Sequence, residues 1–600
     1  MKRMTSVLLI FALLFGMFTL APVQVFAEEP AAGLAAEQGT EPTTEPGEEP
    51  ATEQIAELET EAAPAPVHTA EDFEFPVAEG PCDCPNTPIV RLSGGHGPLF
   101  ENEGTPEEHS YYGLSIDNIV RDLLPGLQPF IKTALKMNMN NSVSAAIDLF
   151  WNWIGPLEMR PDGTSVKKLT RINETNILLT KDHTWEYWIY TLSFDWRESP
   201  LKTADDLHEY IQRVKAATGH SKVHLQSISG SGSVLVAYVD KYINPVDDPD
   251  VLSVVLGQST AGGLGAMGEI FRKQISINPQ ALSAFTWVST IETSGVYEEK
   301  VLPVLKALYL TGLFDLLAVW FPYLPQKYVD RIYDELILPT YGSWPGLWAW
   351  LPNKDYEEAK KVMFEGHPEY YTAGFVGIID EYYNKIAVRQ DEIFRKANEK
   401  IKVAVMAGYG TATFPFCNTS GDGGDGLVNT EYASLGGTAA LFGRELPRSY
   451  KQALHADCSH ISPDRIVDAS TCALPDNTWF MKDALHQGWY EYGTWYGWWR
   501  EAPKGEDTVF DNPKYPQFVR VTSKEDFRQI NGDDQPFDVF EPVEPEPMTF
   551  KKAMAWLWDR ILGVFRIFLG WAGRDMFKIF KEPLFLRLFR FLREEVKLLV

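Results

Sequence analysis

Ser227-Ile228-Ser229-Gly230-Ser231-Gly232 follows the short strand-like run Val223-His224-Leu225 and precedes Val234–Tyr242, which has the composition of a helix. A serine on a sharp strand-to-helix turn presents its Oγ as a nucleophile, and small neighbours are needed because the turn is strained and other backbone passes close by. The usual pattern for such a turn is G-x-S-x-G. Here serine replaces both outer glycines, giving Ser227-x-Ser229-x-Ser231. Ser229 is the preferred nucleophile by its distance from the strand, with Ser231 as the competitor.

Such a serine needs a base, an acid and oxyanion donors. The amide of Gly230 follows the nucleophile, and the glycine-rich turn Ser93-Gly94-Gly95-His96-Gly97 after Pro88–Leu92 supplies Gly95 or His96 as a second donor. The acid candidate is Asp425 in Gly421-Asp422-Gly423-Gly424-Asp425-Gly426-Leu427-Val428, which follows the strand-like Val403–Met406. A calcium loop is the alternative for this Asp/Gly run, although its spacing is not that of an EF-hand. The chain order Ser, Asp, His leaves His455, His460 and His486 as candidate bases. His486 lies just past the strand-like Asn477–Lys482 and is preferred over His460, which sits in Cys458-Ser459-His460-Ile461-Ser462.

Positioning these residues takes alternating elements. Trp185–Phe194 suits a strand, and Ala204–Ala217 places Leu207, Ile211 and Val214 on one helical face. Strand, helix, strand, turn and helix in succession predict an α/β fold with a mostly parallel sheet covered by helices. From 265 to 395 the rhythm gives way to an aromatic, helical stretch, expected to be a cap insertion. Its Trp344–Pro352 segment is read as an apolar wall beside the site, with Pro and Gly arguing against a regular helix there.

The segments Ser193-Phe194-Asp195-Trp196-Arg197-Glu198-Ser199-Pro200, Lys222–Leu225 with the Ser229 turn, Pro88–Gly97, Trp344–Pro352, Ala407–Thr413 and Asp425-Gly426-Leu427-Val428 resemble the lecithin:cholesterol acyltransferase-like lipases. The resemblance covers roughly residues 85–490. It implies an α/β-hydrolase fold and a helical cap over an acyl-chain pocket. It also implies a triad of Ser229, Asp425 and His486 or His460, with an oxyanion donor from the 95–96 turn. The serines at 227 and 231, and the segment 462–476 that lengthens the path to the last histidine, depart from the family pattern. The expected chemistry is acyl transfer from a lipid-like or other apolar ester through an acyl-enzyme, with no metal or organic cofactor. A catalytically inactive hydrolase fold serving as a surface binding protein is the rival, and a peptidase is a third reading.

Composition sets the surroundings. The 600 residues are 45% hydrophobic and 23% charged, with a formal net charge of −28, which argues against nucleic acid as a partner. Residues 1–27, with Lys2, Arg3, an apolar run and Val25-Phe26-Ala27, read as a cleaved export signal of bacterial type, so the protein is expected to be secreted or held at the cell surface. Residues 28–80 are acidic, rich in Pro and without Lys or Arg, as expected of a disordered spacer. The catalytic domain is placed at 85–500 and a loop-rich connector at 501–547. The segment 548–600 is read as basic amphipathic helices suited to a membrane surface. Of five cysteines, Cys458 and Cys472 are close enough to bridge a loop. No Cys/His spacing suggests a structural zinc site.

Overall fold

In a strand buried on both faces, neighbouring residues point into different cores, and this alternation organises the protein. The computed structural model describes residues between 78 and 532. Within that range 95–98, 103–107, most of 112–138, 170–188, 277–324, 415–416, 418–421, 454–458, 487–492, 522–526 and a few single positions lie outside the described residues. So do the expected export signal, nearly all of the expected spacer, and the segment 548–600.

Eight strands form one sheet: β1 (Ile89–Leu92), β2 (Ile189–Leu192), β3 (Val223–Ile228), β4 (Val251–Gly257), β5 (Lys402–Tyr409), β6 (Thr478–Lys482), β7 (Phe518–Val521) and β8 (Phe527–Gln529). The order across the sheet is β8-β7-β6-β5-β4-β3-β1-β2. Every neighbouring pair is parallel except β7 with β8. Val90, Leu92, Leu225, Val254, Leu256, Val403, Val405 and Phe480 enter the larger core on one face. The residues between them, including Ile89, Val255, Ala404, Met406, Trp479 and Met481, pack on the other face against Trp495 and Trp499 of a helix at Gly493–Glu501.

The helix α1 (Pro200–Thr218) begins with proline at its first turn and ends at Gly219, whose left-handed φ of 73° is a conformation glycine adopts without strain. Its buried face includes Leu207, Ile211 and Val214. Helix α2 (Gly232–Tyr238) leaves the turn after β3 and is buried along its whole length. Between β4 and β5 the described residues are largely helical, including α3 (Gly265–Phe271), α4 (Tyr356–Met363), α5 (Phe375–Lys385) and α6 (Gln390–Lys400). Among the described residues no helix is long and apolar enough to cross a membrane.

Three expectations need correction. Residues 501–547 are not simply a connector, because Phe518–Val521 pairs with β6 and Phe527–Gln529 with Phe518–Val521, extending the sheet by two strands. Pro345–Trp348 does form a helical turn; proline occupies its first position, where its missing N–H costs nothing. Gly346 lets that turn lie against the backbone of Trp196, and its N–H donates to the Arg197 carbonyl (3.0 Å). Finally, Cys472 is a thiol and not half of a bridge; it is buried, and burial pushes its pKa up to about 12. Cys458 lies outside the described residues.

One polar layer lies on the sheet face under Gly493–Glu501. Lys402 donates to the carbonyls of Trp499, Arg500 and Ala502, capping the end of that helix. Nearby, His224 Nδ1 is 2.7 Å from Ser253 Oγ. Burial, together with the positive charges of Arg500 and Lys402, lowers the His224 pKa to about 3. The unfolded chain therefore takes up a proton near pH 6.5 that the folded chain refuses until about pH 3. Stability contributed by neutral His224 is fully present above pH 6.5 and declines as pH falls through this window, by up to ~1.4 kcal/mol per pH unit. In His224→Gln, the fall of Tm between pH 6.5 and pH 4 should be shallower than in the wild type. Equal slopes in thermal denaturation would show that His224 does not govern the acid limb.

Candidate active site

The turn after β3 is strained at one residue. Ser229 has φ 54°, in the left-handed region that non-glycine residues rarely enter, a strain of about 1–3 kcal/mol that its surroundings must offset. They do so with hydrogen bonds. Thr260, just beyond β4, donates its N–H (3.0 Å) and Oγ1 (3.3 Å) to the Ser229 carbonyl. The Ser231 hydroxyl accepts the Ile228 N–H at 3.0 Å and donates to the Ile228 carbonyl at 2.7 Å. Trp350 Nε1 and Ser233 Oγ both donate to the Gly230 carbonyl at 3.1 Å.

Most small residues of the turn therefore have a definite role. A Cβ on Gly230 would collide with the Trp350 ring, and one on Gly232 with Ser259 Oγ. Ser231, the competing nucleophile in the sequence, spends its hydroxyl on the turn itself. Ser227 is less well accommodated: its hydroxyl is buried with no hydrogen-bond partner, at a cost of about 1–3 kcal/mol.

Ser229 Oγ lies 2.8 Å from His486 Nε2, and His486 Nδ1 lies 2.9 Å from Asp425 Oδ2. A carboxylate can only accept, so Nδ1 carries the proton and Nε2 presents its lone pair to the serine O–H. The other oxygen of Asp425 accepts the amides of Leu427 (3.0 Å) and Val428 (2.7 Å), which fixes the carboxylate plane. Gly408 of β5 makes room for it, since a Cβ there would come within 2.5 Å of Asp425 Cβ. Ser229, His486 and Asp425 are 4%, 2% and 0% exposed, so their charges and dipoles act largely out of bulk water.

The parallel register puts the three on one edge of the sheet. Ser229 follows the end of β3, Asp425 follows β5 after a loop, and His486 lies four residues past β6. β1 lies beside β3, with Arg91 opposite Gln226, so Leu92 leaves the sheet on the same edge as Ile228. Gly95 and His96 themselves lie outside the described residues, as does His455.

His460 is placed elsewhere. It is fully buried, with Nδ1 2.9 Å from Gln517 Oε1 and Nε2 3.5 Å from Asp476. Its backbone N–H donates to Gln452 Oε1 (3.1 Å) and its carbonyl accepts the amide of Ala469 (2.8 Å). These contacts tie the 459–470 loop to the segments before β6 and β7. Asp422 makes no hydrogen bond to Ser229 or His486, and burial raises its pKa. Both carboxylate oxygens of Asp425 are taken by N–H donors, an arrangement unlike a calcium ligand set.

The Asp195-Trp196-Arg197 segment is a structural corner close to the site. Arg197 is fully buried, pairs with Asp195 through Nε (3.0 Å) and Nη2 (2.6 Å), and donates from Nη1 to the Leu157 carbonyl (3.0 Å). Trp196 packs edge-on against Trp344, at 5.0 Å between ring centres. Trp344–Pro352 is thereby held from the Asp195 corner at one end and meets the Ser229 turn through Trp350 at the other.

Two features were not foreseen from the sequence. Thr260 braces the turn from 31 residues away with no motif to mark it, and the Trp344–Pro352 segment, expected beside the site, reaches the turn through a Trp350 hydrogen bond to the Gly230 carbonyl that the sequence did not specify. Cys82 and Cys84 lie with His220 in a compact group, although His220 is 136 residues from Cys84 and no recognised metal motif links them.

No family model matches the chain, and no curated protein matches it. Among solved structures, the chain is similar to one described as the Tle4-Tli4 complex, with 16% identity and a TM-score of 0.17. The match covers 31% of this chain and about half, 48%, of that chain. A likeness of this size carries no argument about fold or activity.

The relay gives a direct expectation. Asp425→Asn should lower turnover of any ester substrate by about three to four powers of ten, as the amide favours the wrong imidazole tautomer. Asp422→Asn should leave kcat nearly unchanged. Equal losses in the two variants would make the loop structural.

Proposed function

We propose that the protein is a serine hydrolase or acyltransferase of the α/β-hydrolase class, acting on lipid-like or other apolar esters. The observation that carries this reading is the continuous Ser229–His486–Asp425 hydrogen-bonded series on a strained strand-to-helix turn. The sheet order supports the fold class, since nucleophile, acid and base follow three strands of one parallel sheet in the chain order Ser, Asp, His.

The chemistry has two halves. His486 Nε2 takes the proton of Ser229 Oγ as the oxygen attacks the ester carbonyl; Asp425 holds the imidazole and stabilises its charged form. The amide of Gly230, at the start of the helical run where intrahelical acceptors are lacking, is aimed at the oxyanion, with a second donor from the 95–96 turn. The tetrahedral adduct collapses to an acyl-Ser229 ester while His486 protonates the departing alcohol. Water, or an acceptor alcohol, then reverses these steps and frees the serine.

The preference for apolar acyl groups rests on the aromatic segment Trp344–Pro352, which reaches the nucleophile turn through Trp350. Export, and contact with a lipid surface through residues 548–600, rest on the sequence pattern alone.

A graded series of p-nitrophenyl esters tests the reading. Turnover should rise with acyl length, and a fluorophosphonate probe should label one site. Absence of both labelling and hydrolysis in correctly folded protein would leave a binding protein on a hydrolase-like scaffold.

A further inference from the structure

The segment ahead of β1 is fastened to the far end of α1. Ala78 donates its N–H to the Ala216 carbonyl (3.0 Å), and Cys82 donates to the Gly219 carbonyl (2.9 Å). Gly219 allows this approach, because a Cβ there would collide with the Gly80 carbonyl. His220 follows at once, and the result is a cluster of soft and borderline ligands. The Sγ atoms of Cys82 and Cys84 and a ring nitrogen of His220 all lie within 4.8 Å of one another. Cys84 Sγ is 3.4 Å from His220 Nε2.

These separations are close to those of a tetrahedral metal site. With metal–sulfur bonds of about 2.3 Å and a metal–nitrogen bond of about 2.0–2.1 Å, neighbouring ligand atoms stand roughly 3.5–3.8 Å apart. The Cys84–His220 distance already falls near that range, and the remaining pairs need shifts of about an ångström. His220 is 7% exposed, so its ring is held by packing, while both thiols are only half-buried and leave one side open to water. Two thiolates and an imidazole select thiophilic d10 cations over the oxygen-seeking Ca2+ and Mg2+.

We propose that Cys82, Cys84 and His220 bind one thiophilic cation of the Zn2+ type, with water as the fourth ligand, clamping the segment before β1 to the end of α1. Binding releases the two thiol protons, and the cation neutralises the resulting thiolates. The clamp lies at the amino end of β1, so it stabilises the sheet and takes no part in acyl transfer.

The test uses the full chain, reduced, stripped with a chelator and titrated anaerobically with Co2+ and then Zn2+. Expected results are one equivalent of Co2+ with a thiolate-to-cobalt charge-transfer band, displaced by Zn2+, and a rise in Tm of about 3 °C at a hundredfold excess of Zn2+ over Kd. Ester hydrolysis should change less than twofold. Cys84→Ser and, separately, His220→Ala should lose the band and the Tm rise while retaining hydrolysis, which also reports that they fold. If the variants keep both, the assignment of the ligands is overturned. Absence of the band in the reduced, stripped wild type leaves a thiol–imidazole hydrogen bond and overturns the site. Thiols at 82 and 84 that react only after reduction, in protein as isolated, would assign them to a disulfide and overturn it equally.

Discussion

Ser229→Ala should reduce ester hydrolysis by about a millionfold, in practice to the background, while the protein keeps its fold and Tm within a few degrees. The magnitude follows from what the hydroxyl does. Its oxygen lies 2.8 Å from His486 Nε2, and among the described residues no other hydroxyl is bonded to that nitrogen. Ser231→Ala is the informative control. Its hydroxyl bonds both backbone groups of Ile228, so its loss should destabilise the turn by about 1–2 kcal/mol and reduce activity modestly. Labelling by a fluorophosphonate probe followed by peptide mapping gives the second readout: label on Ser229 in the wild type, none in Ser229→Ala, and persistent label in Ser231→Ala. Near-normal turnover in Ser229→Ala with loss in Ser231→Ala would move the nucleophile two residues along the chain and remove the physical basis for the relay.

The strand-to-helix turn at Ser229 was legible in the sequence because it is local. An apolar strand, a run of small residues and a helix occupy one continuous stretch, and the distance from Leu225 favours Ser229 over Ser231. Asp425 was legible for a similar reason, as an Asp/Gly loop after an apolar strand. The choice between His460 and His486 could be weighed only by topology, because each follows a plausible element, and burial does not separate them: both are inside. The last two strands, 518–521 and the edge strand 527–529, were hidden among acidic and proline-rich turns, where short alternation in Phe518-Val519-Arg520-Val521 is a weak signal. The Cys472 bridge failed for another reason, since sequence proximity says nothing about whether a thiol turns into the core. Contacts spanning more than a hundred residues, such as Trp350 with Gly230 or Cys84 with His220, leave no periodic trace at all.

Replacing His486 and His460 in turn gives the sharpest separation of chemistry from structure. His486→Ala should lower kcat by about five to six powers of ten, since the base and its orienting link to Asp425 disappear together. KM should change little, and Tm should fall by only a few degrees, because removing the ring leaves one carboxylate oxygen still bound by the amides of Leu427 and Val428. His460→Ala should do the reverse. Its ring is fully buried against Gln517 and near Asp476, so its loss strips a partner from the Gln517 side chain, which also donates to the carbonyls of Pro475 (2.7 Å) and Thr478 (3.0 Å). A cost of about 2–3 kcal/mol is expected there from the cavity and the unpaired amide oxygen, with kcat per folded molecule within a few-fold of wild type. The two variants are compared by single-turnover acylation at a temperature where both are folded, alongside thermal denaturation. If His460→Ala instead abolishes acylation while His486→Ala remains active, the shorter path from Asp425 supplies the base, and the hydrogen-bonded series at Ser229 is a packing arrangement without a chemical role.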